Sequence, residues 1–184
     1  MCIRDRDVSQ KGLVIVYTGG GKGKTSAALG LVLRAVGYNH KVCMVQFVKG
    51  SWHYGELDSA KRLAPEFELI TAGKGFVGIL DDKSPREEHV KAANDTLTIS
   101  REKIASGKFD VVILDEINYA IQLELLKLDD VIDMIKSKPA ELDLVLTGNH
   151  AAKEVIELAD LVTEMKEIKH PFKSGIKAKK GIDF

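Results

Sequence analysis

The stretch Thr18-Gly19-Gly20-Gly21-Lys22-Gly23-Lys24-Thr25 follows the apolar run Leu13–Tyr17 and leads into the helix formers Ser26-Ala27-Ala28-Leu29. Glycines let consecutive backbone N–H groups turn inward around an anion, and the helix that follows points its positive end at the same spot. In such a loop the Lys24 ammonium neutralises terminal phosphates and the Thr25 hydroxyl ligates Mg²⁺. A glycine-rich hairpin would share the composition but not the order strand, loop, Gly-Lys-Thr, helix. One departure stands out: the usual spacing wants glycine where Thr18 stands, so the glycines are shifted by one.

Working outward, Asp115-Glu116 comes directly after the run Phe109–Leu114. A carboxylate at the end of a neighbouring buried strand holds Mg²⁺ directly or through water. An acidic strand end can also be merely solvated, but beside a phosphate loop the metal reading is favoured. These residues imply a Mg·nucleoside triphosphate site and leave open what is done with the nucleotide.

The rest of the chain alternates strand-like and helix-like patterns. Short β-branched runs fall at Gly12–Tyr17, Lys41–Val48, Phe67–Thr71, Phe109–Leu114, Leu142–Thr147 and Leu161–Met165. Four of them are apolar at nearly every position, as in parallel strands covered on both faces. Ser84-Pro85-Arg86-Glu87 reads as a capping box opening a helix that carries Val90, Ala93, Leu97 and Ile104 and stops at Gly107. Asp129 or Asp130 reads as the cap of a second helix with Val131, Ile132 and Ile135, stopped before Pro139. This βαβα order predicts an α/β fold, a mostly parallel twisted sheet flanked by helices in a single domain. Ligands of such sheets bind beyond the carboxyl ends of the strands.

Composition narrows the function classes. The 184 residues suit one domain, and 27 Lys plus Arg against 27 Asp plus Glu leave no net field to recruit nucleic acid or an anionic membrane. No apolar run approaches a membrane span, and two cysteines, Cys2 and Cys43, support neither a disulfide framework nor a metal cluster. A cytoplasmic domain is what these exclusions leave. Residues 166–184 carry six lysines against Glu167 and Asp183 and read as an irregular basic tail. Met1-Cys2-Ile3-Arg4-Asp5-Arg6 back-translates to a transposon adapter used in sequencing libraries, so residues 1–11 are expected to be adapter-derived or disordered and 12–184 to be the domain.

Several stretches then point to a family. They are Val16-Tyr17-Thr18-Gly19, Gly21-Lys22-Gly23-Lys24-Thr25, Arg34-Ala35-Val36-Gly37, Val45-Gln46-Phe47-Val48-Lys49-Gly50, Gly55-Glu56 and Val111-Val112-Ile113-Leu114-Asp115-Glu116. Leu146-Thr147-Gly148, Ala159-Asp160-Leu161-Val162-Thr163-Glu164-Met165, and the ending from Lys169-His170-Pro171-Phe172 to Gly181-Ile182 complete the set. Over Gly12 to Phe184 the chain resembles the P-loop type of ATP:corrinoid adenosyltransferase, and the ending is the most diagnostic part.

The resemblance implies a P-loop NTPase (RecA-like) fold that holds ATP in a reversed sense, with triphosphate as leaving group and the ribose 5′ carbon as electrophile. The nucleophile is Co(I) of the corrinoid, so no side chain need supply one. It implies that Gly19, Gly20, Gly21, Lys22, Gly23, Lys24, Thr25 and Ser26 hold the triphosphate and that Arg34 approaches the nucleotide. It further implies that Thr25, Glu116 and Asp115 serve Mg²⁺ (Mn²⁺ being the alternative ion) and that Lys24, Phe76 and Glu116 carry catalysis. A homodimer and a reduced flavin or flavoprotein electron donor are implied with it. Apolar side chains displace the lower cobalt ligand in this family, and Gly75-Phe76-Val77-Gly78-Ile79-Leu80 keeps the phenylalanine but has Gly78 where a tryptophan is usual. Val77, Ile79 or Leu80 are the candidates to fill that place. Asn149 stands where an arginine is common, so either a neighbouring lysine compensates or ATP binds more weakly. The helical N-terminal extension common in the family is not expected before Gly12, either because the fragment is truncated, as the adapter reading suggests, or because this branch does without it.

Other residues have two readings each. Trp52, beside Ser51, His53 and Tyr54, is a corrin or adenine wall or loop packing; His170 touches ligand or anchors the tail. The tail lysines attract corrinoid groups or are simply solvated. Cys43, Phe47, Phe67 and Phe109 read as core. Two other functions compete: a RecA-like Mg-ATPase in which Glu116 positions water, and a corrinoid or nucleotide carrier without turnover.

Overall fold

The computed structural model describes residues 11–49, 53–73 and 84–184. Six strands form one sheet: β1 (Val14–Thr18), β2 (Val42–Gln46), β3 (Phe67–Thr71), β4 (Val111–Asp115), β5 (Asp143–Thr147) and β6 (Leu161–Glu164). Their spatial order is β3-β2-β4-β5-β1-β6, and every pairing is parallel. Between them run the helices α1 (Lys24–Val36), α2 (Gly55–Arg62), α3 (Arg86–Ala105), α4 (Ile117–Gln122), α5 (Leu128–Lys136) and α6 (Lys153–Leu158).

The two faces of the sheet are covered by different helices because alternate strand residues point to opposite sides. Met44, Ile113 and Val145 pack with Ala28 and Val32 of α1 and Ala60 of α2. Val45, Val112, Leu114 and Leu144 pack with Ala93 and Leu97 of α3, Met134 of α5 and Val155 of α6. All seven of these strand residues are wholly buried, and each such side chain stabilises the fold by roughly 1.5–3 kcal/mol. Burial on both faces is why these strands lack polar alternation.

Two helix starts differ from expectation. Pro85, not Ser84, occupies the N-cap of α3, and its carbonyl accepts the Glu88 N–H at 3.0 Å. Lys127 is the N-cap of α5, so Asp129 and Asp130 sit inside its first turn, where their charges favour the helix dipole without capping it. Gly107, with φ 64°, ends α3 as read. The edge strand β6 is exposed along its length, and beyond it residues 166–184 hold only a short 3₁₀ turn at Pro171–Ser174. No helix of the described residues is long and apolar enough to cross a membrane. Residues 1–10, Ser51, Trp52 and Gly75 to Leu80, including Phe76, lie outside the described residues, and with them the adapter and cobalt-facing readings.

Candidate functional site

Because all strands run the same way, the carboxyl ends of β1, β2, β4 and β5 meet at one edge of the sheet, and the register sets neighbours there. Gln46 lies opposite Asp115, and Thr147 ends β5 beside β4. The Asp115 carboxylate is buried and accepts from three side chains: Thr147 Oγ1 at 2.7 Å, Thr25 Oγ1 at 2.9 Å and Gln46 Nε2 at 3.2 Å. Burial pushes its carboxyl up, and the Thr147 bond, the Lys49 charge and the Thr25 and Gln46 bonds oppose that. Asp115 therefore fixes the Thr25 hydroxyl from behind.

Glu116, one residue on, is held differently. Its N–H donates to Thr147 Oγ1 at 3.0 Å, its backbone is left-handed with φ 64°, and its side chain lines an open cavity. No hydrogen bond to its carboxylate occurs among the described residues. Burial pushes the carboxyl up to about 7, the Asp115 charge adds to this, and Lys24 and Lys49 pull against it. A non-glycine residue held at positive φ is uncommon and clusters at functional positions.

The loop after β1 wraps the other side. Lys24 is buried and donates to the Gly19 and Gly21 carbonyls, each at 2.8 Å. Burial lowers its pKa, and Glu116 and Asp115 raise it. A Cβ on Gly19 (φ 94°) would lie 2.5 Å from the Met165 carbonyl oxygen, so only glycine fits where the end of β6 crosses the loop. The Gly21 N–H donates to that carbonyl at 2.7 Å. Thr18 belongs to β1 itself, and its hydroxyl accepts the Ala151 N–H at 2.9 Å. The shifted glycine thus has a structural reason: the side chain at 18 ties β1 to the loop after β5.

A cavity of about 930 Å³ opens over these groups, within the ~300–1,000 Å³ usual for small-molecule sites. The stretch from Gly20 to Ser26, together with Glu116 and Asn149, forms its polar floor. Leu29 and Val32 of α1 with Leu63 and Phe67 form an apolar wall. Gly19 and Asp115 support the floor without lining it. Arg34 does not line it: the residue is exposed at the far end of α1, about 15 Å along the helix from Lys24. Among the described residues no cluster of three or more His, Cys, Asp or Glu gathers, so an ion here would take most of its ligands from nucleotide and water. Thr25 and Glu116 offer only hard oxygen donors, which suits Mg²⁺ or Mn²⁺.

The tail contributes more than its composition suggested. Residues 181–184 form one lip of the cavity, and Asp183 pairs with Lys22 of the loop. The signal was present in the sequence as the two acidic residues of a basic segment: Glu167 pairs with Lys173 and Asp183 with Lys22. His170 Nδ1 accepts the Phe172 N–H at 3.1 Å and caps the 3₁₀ turn within the tail. Cys43 is core, its thiol pushed up to about 12 by burial.

Comparison with known proteins gives a consistent result. The family model described as "ATP:corrinoid adenosyltransferase BtuR/CobO/CobP" matches residues 10–184. A corrinoid adenosyltransferase of Escherichia coli K12 is 35% identical over 95% of this chain and 87% of its own length. One from Pseudomonas aeruginosa is 39% identical over 95% of this chain and 85% of its own. Among solved structures, the flagellar accessory protein FlaH of Methanocaldococcus jannaschii aligns with a TM-score of 0.55 at 16% identity, over 84% of this chain and 71% of that one. At that identity the likeness speaks for the fold alone, the RecA-like P-loop architecture.

Proposed function

The chain belongs to the ATP:corrinoid adenosyltransferase family, and from that premise we propose how its site performs ATP-dependent adenosylation of a corrinoid. The observation that carries the proposal is a cavity whose floor is a phosphate loop facing Glu116 and whose described lining contains no His and no Cys. Its two serines have no imidazole beside them, and Ser59 Oγ donates to the Gly55 carbonyl at 3.2 Å. No triad occurs among the described lining residues, which suits a nucleophile that comes with the second substrate.

In the proposed reaction the Co(I) electron pair forms the bond to the 5′ carbon. The carbon–oxygen bond breaks, and its pair leaves on inorganic triphosphate. The backbone N–H groups of Gly20 and of Lys22 to Ser26 would hold the triphosphate together with the Lys24 ammonium, the Gly21 N–H being taken by the Met165 carbonyl. Its developing charge is therefore met by fixed donors that need no reorganisation. Thr25 and Glu116 would hold Mg²⁺, which supplies further neutralisation of the leaving group when bound. Asp115 keeps the Thr25 hydroxyl aimed, an outer role in place of direct ligation. The apolar wall of Leu29, Val32, Leu63 and Phe67 would keep water from the reacting carbon.

The proposal extends to properties carried by the family resemblance: residues 12–184 as the catalytic domain, Phe76 at the cobalt face, a homodimer, a cytoplasmic location, and reduced flavin or a flavoprotein as electron source. Anaerobic incubation with Mg·ATP and chemically reduced corrinoid tests the reaction. A cobalt–carbon spectrum with one triphosphate released per turnover is expected. ADP and phosphate released without corrinoid would instead support the ATPase reading, in which the free Glu116 carboxylate positions water.

A further inference from the structure

Lys49 lies three residues beyond β2, and in the sheet order β2 and β1 stand on opposite sides of β4. The phosphate loop therefore approaches the Asp115–Glu116 pair from one side and Lys49 from the other. Both Lys49 and its ion-pair partner Glu56, in the first turn of α2, line the cavity. The pair is largely buried, at 16% and 11% side-chain exposure, with Lys49 Nζ 3.3 Å from Glu56 Oε1. The same ammonium sits 4.1 Å from the centroid of the Tyr54 ring.

The three lysines that line the cavity are not equally satisfied. Lys22 is paired with Asp183, and Lys24 donates two hydrogen bonds at 2.8 Å. Lys49 has the Glu56 contact, the ring face and the nearby charges of Asp115 and Glu116, but among the described residues its ammonium donates no well-angled hydrogen bond. An ammonium carries three donors, and a buried ion pair of loose geometry does not repay its desolvation. A group held this way is poised for an anion, and the floor beside it is built for polyphosphate.

We propose that Lys49 is a second polyphosphate-binding residue, taking phosphate oxygens across the carboxylate floor from Lys24 while Glu56 and Tyr54 hold its side chain in place. This rests on the cavity being the nucleotide site. Its effect falls on the charged part of the nucleotide and not on the nucleoside. A structural role in joining β2 to α2 would affect both alike.

Titration calorimetry with inorganic tripolyphosphate and, separately, with adenosine tests this in wild type, Lys24→Ala, Lys49→Met and Lys49→Arg. Lys49→Met is expected to bind tripolyphosphate about tenfold more weakly, as a lost charge-assisted contact implies, with adenosine unchanged. Lys49→Arg is expected to recover most of the loss and serves as the readout should Lys49→Met not fold, with Lys49→Gln as its uncharged counterpart. Tripolyphosphate affinity that falls in Lys24→Ala but stays at wild-type level without the Lys49 charge overturns the inference and leaves the loop assignment intact. Parallel loss of adenosine and tripolyphosphate also overturns it, in favour of a structural role. A wild type that binds no tripolyphosphate overturns the site reading and the inference together.

Discussion

The phosphate loop and the tail that crosses it are held by opposite means. Around the loop, Asp115 gathers three side-chain donors within a buried pocket, and Lys24 is folded onto two carbonyls. The tail after β6 rests on the loop through the Met165 carbonyl, then returns to it through the pair Lys22–Asp183, whose lysine is exposed. Buried and hydrogen-bonded groups set a geometry; exposed ion pairs contribute little and are screened by salt. A rigid floor and a loosely held lip make a site that keeps its shape while its entrance yields.

The largest expected effect breaks the floor itself. Lys24→Ala should weaken ATP binding by at least about a hundredfold, since phosphate charge loses its buried partner, and a direct binding titration reads it. Near-normal affinity would mean the loop is not the phosphate site. Next, Asp115→Ala leaves Thr25, Thr147 and Gln46 without their common acceptor and should cost about 3 kcal/mol in a denaturant titration. A loss under about 1 kcal/mol would place the floor on the same footing as the tail.

A smaller effect follows from Glu116. Its carboxyl is raised from 4.5 to about 7 in the fold. Between those values the unfolded chain releases a proton that the native chain retains, so raising the pH favours unfolding. Without metal or nucleotide, stability should fall by about 2–3 kcal/mol from pH 4.5 to 7 and level off above. Glu116→Gln should remove that slope; an unchanged slope would assign it to another group. The smallest effect belongs to the tail. Lys22→Ala should leave the melting temperature nearly unchanged yet speed tryptic cleavage at Lys177, Lys179 and Lys180. Equal digestion rates would show that the pair does not hold the lip.

The legible part of this protein is the part encoded locally. Strand runs, the glycine loop and Asp115-Glu116 each occupy consecutive positions, and the parallel order then brings the ends of β1, β4 and β5 together. What escaped depends on partners far apart in the chain. Asp183 stands out as an acidic residue in a basic segment, but nothing near it names Lys22, 161 residues away, as its partner, and nothing near Thr18 announces the Ala151 N–H. Arg34, which the family resemblance set near the nucleotide, is carried by helical rise away from the cavity. Lys49 was visible in the sequence only as part of a matching stretch, because its burial arises from the fold of β2 against α2.

The backbone at Glu116 has a consequence for anyone re-engineering the chain. Left-handed geometry there costs a side-chain-bearing residue on the order of 1 kcal/mol, and glycine or asparagine would sit more comfortably. A selection for heat resistance alone should therefore drift to those residues at 116, yielding a sturdier protein that has surrendered its carboxylate. Thermostable variants of this chain are best screened with turnover as a second criterion.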